Sequence, residues 1–115
     1  MAFDWHNQRI IVTGGAGFLG SHLVEYLRGQ GAGEIFVPRK VDYDLREPDA
    51  NARLHRDFPG ATLVFHLAAT VGGIGANRQH PGRFFYDNIL MGTLTLEYAR
   101  RAGVPKFVGV GTICA

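Results

Sequence analysis

Residues 9 to 27, R-I-I-V-T-G-G-A-G-F-L-G-S-H-L-V-E-Y-L, leave this chain few folds to choose from. Arg9 to Val12 read as a short apolar strand. Thr13 to Gly20 carry glycines at 14, 15, 17 and 20. From Ser21 the pattern turns helical, with Leu19, Leu23, Tyr26 and Leu27 on one stripe. A strand, a glycine turn and a helix in that order are the context in which such spacing signals a phosphate-binding turn rather than an ordinary loop. Gly14 permits the tight turn off the strand, Gly17 has no Cβ to hold a pyrophosphate off the backbone, and Gly20 lets helix and strand pack closely. The helix N-terminus then offers unpaired N–H groups and the positive end of its dipole to an anion.

The 115 residues suffice for one compact domain, expected to span 1–115. An apolar fraction of 46% argues against disorder. The net charge is +2, and only Arg39-Lys40 and Arg100-Arg101 are adjacent basic pairs. That dispersion describes a solvated surface better than a nucleic-acid footprint. No apolar run has membrane-spanning length, and M-A-F-D-W-H lacks the basic and apolar regions of a signal peptide. The single cysteine, Cys114, excludes an intrachain disulfide and fits a reducing cytoplasm. No set of histidines and carboxylates has metal-ligand spacing.

Further along, Glu34 to Val37 read as a second strand closed by Pro38, and Val41 to Leu45 as a weak third. Glu47 to Phe58 read as a helix. Thr62 to Ala69 form a near-continuous apolar run, which suits a strand buried on both faces. A glycine-rich loop at 71–82 precedes a long helix over 83–102, apolar at Phe84, Phe85, Ile89, Leu90, Leu94 and Leu96. Lys106 to Gly111 read as a fifth strand. Alternating strands and helices predict an α/β fold: a Rossmann-type parallel sheet of about five strands in the order 3-2-1-4-5, with helices on both faces.

In a dinucleotide site, an acid about 20 residues past the glycines holds the adenosine ribose hydroxyl. Here that position is Lys40, and the second strand ends V-P-R-K without a carboxylate. Arg39 and Lys40 would attract a 2′-phosphate, which predicts NADP over NAD; Asp42 stays open as a ribose acid. Asp44 and Leu45 fall where an adenine would lie, although a turn role for Asp44 fits equally. Ala68 and Ala69 close the fourth strand at its carboxyl edge. Thr112 and Cys114 occupy the same edge after the fifth. His66 reads as a core histidine, and His80, in the glycine loop, as an unsupported substrate contact.

Several stretches together resemble the extended short-chain dehydrogenase/reductases, the sugar-nucleotide epimerases and dehydratases. They are T-G-G-A-G-F-L-G, H-L-A-A after the fourth strand, N-I-L-M-G-T-L-T-L-E-Y-A-R-R-A-G-V-P-K-F-V, and a strand ending in a hydroxyl residue. Within that family, A-A-T-V-G-G-I-G-A-N and G-T-I-C-A are most similar to the NADPH-dependent epimerase/reductases of GDP-4-keto-6-deoxymannose. The resemblance implies that Gly14, Gly17, Phe18, Leu19 and Gly20 hold the pyrophosphate and Arg39 meets the 2′-phosphate. It implies that Asp44 and Leu45 border the adenine, and that Ala68, Ala69 and Val71 line the nicotinamide side. Thr112 would be the hydroxyl member of the family's Ser/Thr-Tyr-Lys set, and Cys114 the cysteine that works with a histidine in epimerisation. A GDP-sugar is then the partner of the complete enzyme.

The departure is equally specific: no Tyr-x-x-x-Lys occurs in these residues. The expectation is therefore an NADP-binding domain that lacks the substrate-binding part and is catalytically incomplete by itself. The alternative is a non-catalytic Rossmann-type nucleotide-binding or scaffold protein. The long helix and fifth strand, without the neighbours the family gives them, predict a homodimer through residues 83–111.

Overall fold

The computed structural model describes residues 3–68 and 81–109. A 3-10 turn at Trp5–Asn7 leads into β1 (Arg9–Thr13), α1 (Phe18–Gly29), β2 (Glu34–Phe36), α2 (Pro48–Asp57), β3 (Leu63–His66), α3 (Pro81–Arg101) and β4 (Lys106–Gly109). All strand pairs are parallel, in the order β2-β1-β3-β4. The chain passes from β2 back over β1 to β3, so the order reverses there. The carboxyl ends of β1 and β3 meet side by side at the reversal, with Thr13 opposite His66. In open α/β sheets, ligands bind outside strand ends at such a point.

The α/β, Rossmann-type parallel sheet is as expected, but it has four strands among the described residues rather than five. Residues 41–45 form turn and coil, not a third strand. The Asp42 and Tyr43 N–H groups donate to the Arg39 carbonyl at 2.9 and 2.8 Å, bending the chain away from β2 just past its end. Val41, which the alternation V-D-Y-D-L would bury, is 91% exposed. The order 3-2-1-4-5 thus survives with its outermost strand removed. Positions 110 and 111 of the expected last strand lie outside the described residues.

Period-two alternation on β1 builds the core on both faces of the sheet. Ile11 joins Leu45, Leu54, Ala61, Val64, Met91 and Ala99 on the side of α2 and α3. Ile10 and Val12 join Val24, Leu27 and Leu63 on the side of α1. Ile10, Ile11 and Val12 are wholly buried, each contributing about 1.5–3 kcal/mol of apolar transfer. The helices depart from the expected faces. α1 begins at Phe18 rather than Ser21, and its buried stripe is Gly20, Val24 and Leu27, whereas Leu19 and Tyr26 are exposed. α3 begins at Pro81, a residue suited to a first helical position. It buries Asp87, Met91, Thr95 and Ala99, and leaves Phe85, Ile89 and Leu96 more than half exposed. The guanidinium groups of Arg100 and Arg101 both turn to Glu97, so that basic pair is internally compensated.

Candidate functional site

β1 ends in Thr13, whose buried hydroxyl fastens the two central strand ends together. Its Oγ1 accepts the N–H groups of Leu67 and Ala68 at 3.0 and 3.1 Å and lies 2.7 Å from His66 Nδ1. With two N–H groups already donating to it, the hydroxyl gives its single proton to Nδ1. That assignment makes His66 a neutral ring protonated on Nε2. Burial acts the same way, pushing the His66 pKa down. His66 is thus the satisfied core histidine the sequence suggested, with Thr13 as its partner.

The chain then reverses at Gly14, whose φ of +73° favours glycine. A Cβ there would lie 2.7 Å from the Ala68 nitrogen, so the turn is seated directly on the end of β3. At Gly20 a Cβ would sit 2.0 Å from the Gly14 carbonyl oxygen, which fixes glycine as the contact between α1 and the turn. At Gly17 a Cβ would meet only the Gly14 oxygen at 3.4 Å, so this stretch of backbone is open on its outer side. Gly17 is the N-cap of α1 and no side chain caps the helix. The first-turn N–H groups, which lack helical acceptors, are left for another partner.

These residues line one cleft of about 560 Å³. It gathers Gly14, Gly17, Phe18, Leu19 and Gly20 from the turn and α1, Arg39, Lys40, Asp44 and Leu45 from the segment after β2, and Ala68 from beyond β3. Arg39 and Lys40 have no ion-pair partner among the described residues. Asp42, the other candidate for a ribose contact, is exposed and is not part of the lining. Open glycine backbone, a helix N-terminus without a side-chain cap and two cations without an ion-pair partner among the described residues fit a phosphorylated dinucleotide. Ala69, Val71, His80, Thr112 and Cys114 lie outside the described residues.

Sequence reasoning missed Arg46. Its Nε donates to Asp44 Oδ1 at 3.0 Å and an Nη donates to Oδ2 at 2.7 Å, while its own backbone N–H adds a bond to Oδ1 at 3.1 Å. The other Nη reaches Asp87 of α3 at 3.4 Å. Hydrogen bonding to Arg46 holds the Asp44 carboxyl down to about 2, against the smaller opposing effect of burial. Among the described residues, the only carboxylate lining the cleft is therefore ionised and already paired. The signal was present as D-L-R at 44–46, an acid and a base flanking a buried leucine. Among the described residues no group of three histidines, cysteines or carboxylates could hold a metal, and no helix is long and apolar enough to cross a membrane.

Comparison with known proteins bears on the same region. The NAD dependent epimerase/dehydratase family matches residues 10–115. GDP-L-fucose synthase of Azorhizobium caulinodans is 32% identical over 108 residues, covering 93% of this chain and 34% of the relative. Among solved structures, a GDP-L-fucose synthetase of Naegleria fowleri bound to NADP superposes with a TM-score of 0.75 at 33% identity, over 90% of this chain and 31% of that one. MlghC, a GDP-mannoheptose C4 reductase of Campylobacter jejuni with NADP bound, gives 0.85 at 25% identity, over 95% and 34%. The chain thus spans about a third of the length of the relatives it matches. Nearly all of its residues take part in these matches, and the chain belongs to the NAD dependent epimerase/dehydratase family.

Proposed function

We propose that these residues form the NADP(H)-binding part of a GDP-sugar epimerase/reductase of the GDP-L-fucose synthase kind. The observation that carries the proposal is the cleft's charge pattern. Glycine backbone and the α1 N-terminus line one part of it, and Arg39 and Lys40, without an ion-pair partner among the described residues, line the segment after β2. Among the described residues, the one carboxylate in the lining, Asp44, is already paired with Arg46 and so repels a 2′-phosphate less than a free acid would. Gly14 to Gly20 would hold the pyrophosphate, Arg39 and Lys40 the 2′-phosphate, and Asp44 and Leu45 the adenine. Ala68, with Ala69 and Val71, would leave room for the nicotinamide. When bound, the dinucleotide supplies hydride to a keto-sugar. This chain's described residues bind and orient it, and they hold the strand ends beneath it through the Thr13–His66 bond.

Thr112 and Cys114 are assigned to the reacting end, Thr112 to hydrogen-bond the sugar carbonyl and Cys114 to move a proton in epimerisation. That assignment rests on the G-T-I-C-A resemblance alone. The 115 residues hold no Tyr-x-x-x-Lys to protonate a reduced carbonyl. They would therefore bind cofactor without turning over substrate by themselves. The test is a calorimetric titration with NADPH, followed by an absorbance assay with GDP-4-keto-6-deoxymannose. Binding near one equivalent without NADPH consumption is expected. Failure to bind, or turnover at ordinary enzyme rates, would contradict the proposal.

A further inference from the structure

The segment that carries Asp44 is not a strand, so no sheet ladder fixes it. Its backbone is held by turn bonds, the Glu47 N–H to the Asp44 carbonyl at 2.9 Å among them, and by Asn51 Nδ2 donating to the Leu45 carbonyl at 2.9 Å. Among the described residues, the Asp44 side chain is hydrogen-bonded by Arg46 alone. A carboxylate offers about four acceptor positions. Three are taken here: two on Oδ1, by the Arg46 backbone N–H and Nε, and one on Oδ2, by an Nη. Among the described residues, one position remains without a donor, on Oδ2. The opposite edge of the guanidinium reaches Asp87, a nearly buried carboxylate on the helix that also brings Met91 to the cleft.

We propose that Arg46 is a positioning residue for base recognition: its fork, tied to α3 through Asp87, orients Asp44 so that a single acceptor on Oδ2 receives the exocyclic amine of adenine. The inference rests on the reading of the cleft as a dinucleotide site. A planar fork is required, because it constrains both carboxylate oxygens at once, whereas a lysine is a point charge that constrains neither direction. An amine donor satisfies the remaining acceptor. A hypoxanthine base presents a carbonyl oxygen at the same place and leaves the charge facing a lone pair.

The test is titration of the 115-residue chain with NADPH, NADH and the hypoxanthine analogue of NADPH. Unmodified protein should bind NADPH about tenfold or more tightly than the analogue, as expected for losing a hydrogen bond to a charged group. In Arg46→Ala that ratio should fall toward one while the NADPH-to-NADH ratio is unchanged. A purely structural role would weaken all three ligands together and leave both ratios intact. Arg46→Lys retains the charge beside Asp87 and should also lose base discrimination. It carries the test if the alanine variant does not fold. Discrimination that survives in Arg46→Lys and in any folded Arg46→Ala overturns the proposal while leaving the functional reading in place. Failure of the unmodified chain to bind either cofactor overturns both.

Discussion

Thr13 Oγ1 receives two backbone N–H groups and passes its own proton to His66, so the ends of β1 and β3 share one hydroxyl. That arrangement gives the pH dependence of stability a sign. Burial lowers the folded-state pKa of His66 from its ordinary 6.5. Below that value the unfolded chain binds a proton the folded chain does not, so stability falls as pH falls through the unfolded pKa. Melting temperature should drop between about pH 7.5 and about pH 5. The slope should shrink in His66→Gln, whose amide oxygen can still accept from Thr13. His55, also lowered by burial, supplies part of what remains. An unchanged slope would show that His66 is not held neutral. Asp44 acts in a lower window: its folded pKa is held at about 2 against an ordinary 3.8, so its contribution is lost as pH falls from 3.8 toward 2.

At the scale of elements, two glycines in helices make opposite predictions. A Cβ at Gly20 would lie 2.0 Å from backbone oxygen, and one at Gly92 of α3 would meet nothing within 4 Å. Gly20→Ala should cost about 1–3 kcal/mol through forced backbone displacement, whereas Gly92→Ala should stabilise by up to about 1 kcal/mol through helix propensity. Urea unfolding of both variants measures the contrast, and a neutral Gly20→Ala would contradict the close contact of α1 with the turn. The glycine turn was legible in sequence because its spacing encodes backbone geometry directly. Strand and helix positions followed from hydrophobic periodicity, most of them to within two residues. Other features were not legible. V-D-Y-D-L at 41–45 alternates like a strand, but alternation cannot report that a turn at Arg39 removes it from any pairing edge. In α3, apolar residues surround the helix, so periodicity could not tell that Asp87 and Thr95 face inward and Phe85 and Ile89 outward. Arg46 escaped for a related reason. Its role depends on Asp87, 41 residues away in sequence.

For the whole molecule, the exposed stripe of Phe85, Ile89 and Leu96 on α3, flanked by exposed Tyr86, is the apolar surface left uncovered among the described residues of that helix. Such a face is most simply covered by its own copy across a two-fold axis. Light scattering at micromolar concentration should therefore report a dimer that Ile89→Glu weakens; a monomer at all concentrations would contradict it. The cleft lies at the meeting of the glycine turn, the segment after β2 and the end of β3. In the proposed function this cleft selects a 2′-phosphorylated dinucleotide through Arg39 and Lys40. The most direct test is the ratio of NADH to NADPH dissociation constants before and after Arg39→Ala. The ratio should be about tenfold or more in the unmodified protein, as for loss of a charge-assisted hydrogen bond. In the variant it should fall toward one, with NADH binding unchanged. Equal affinities in the unmodified chain, or NADPH binding indifferent to the loss of Arg39, would contradict it.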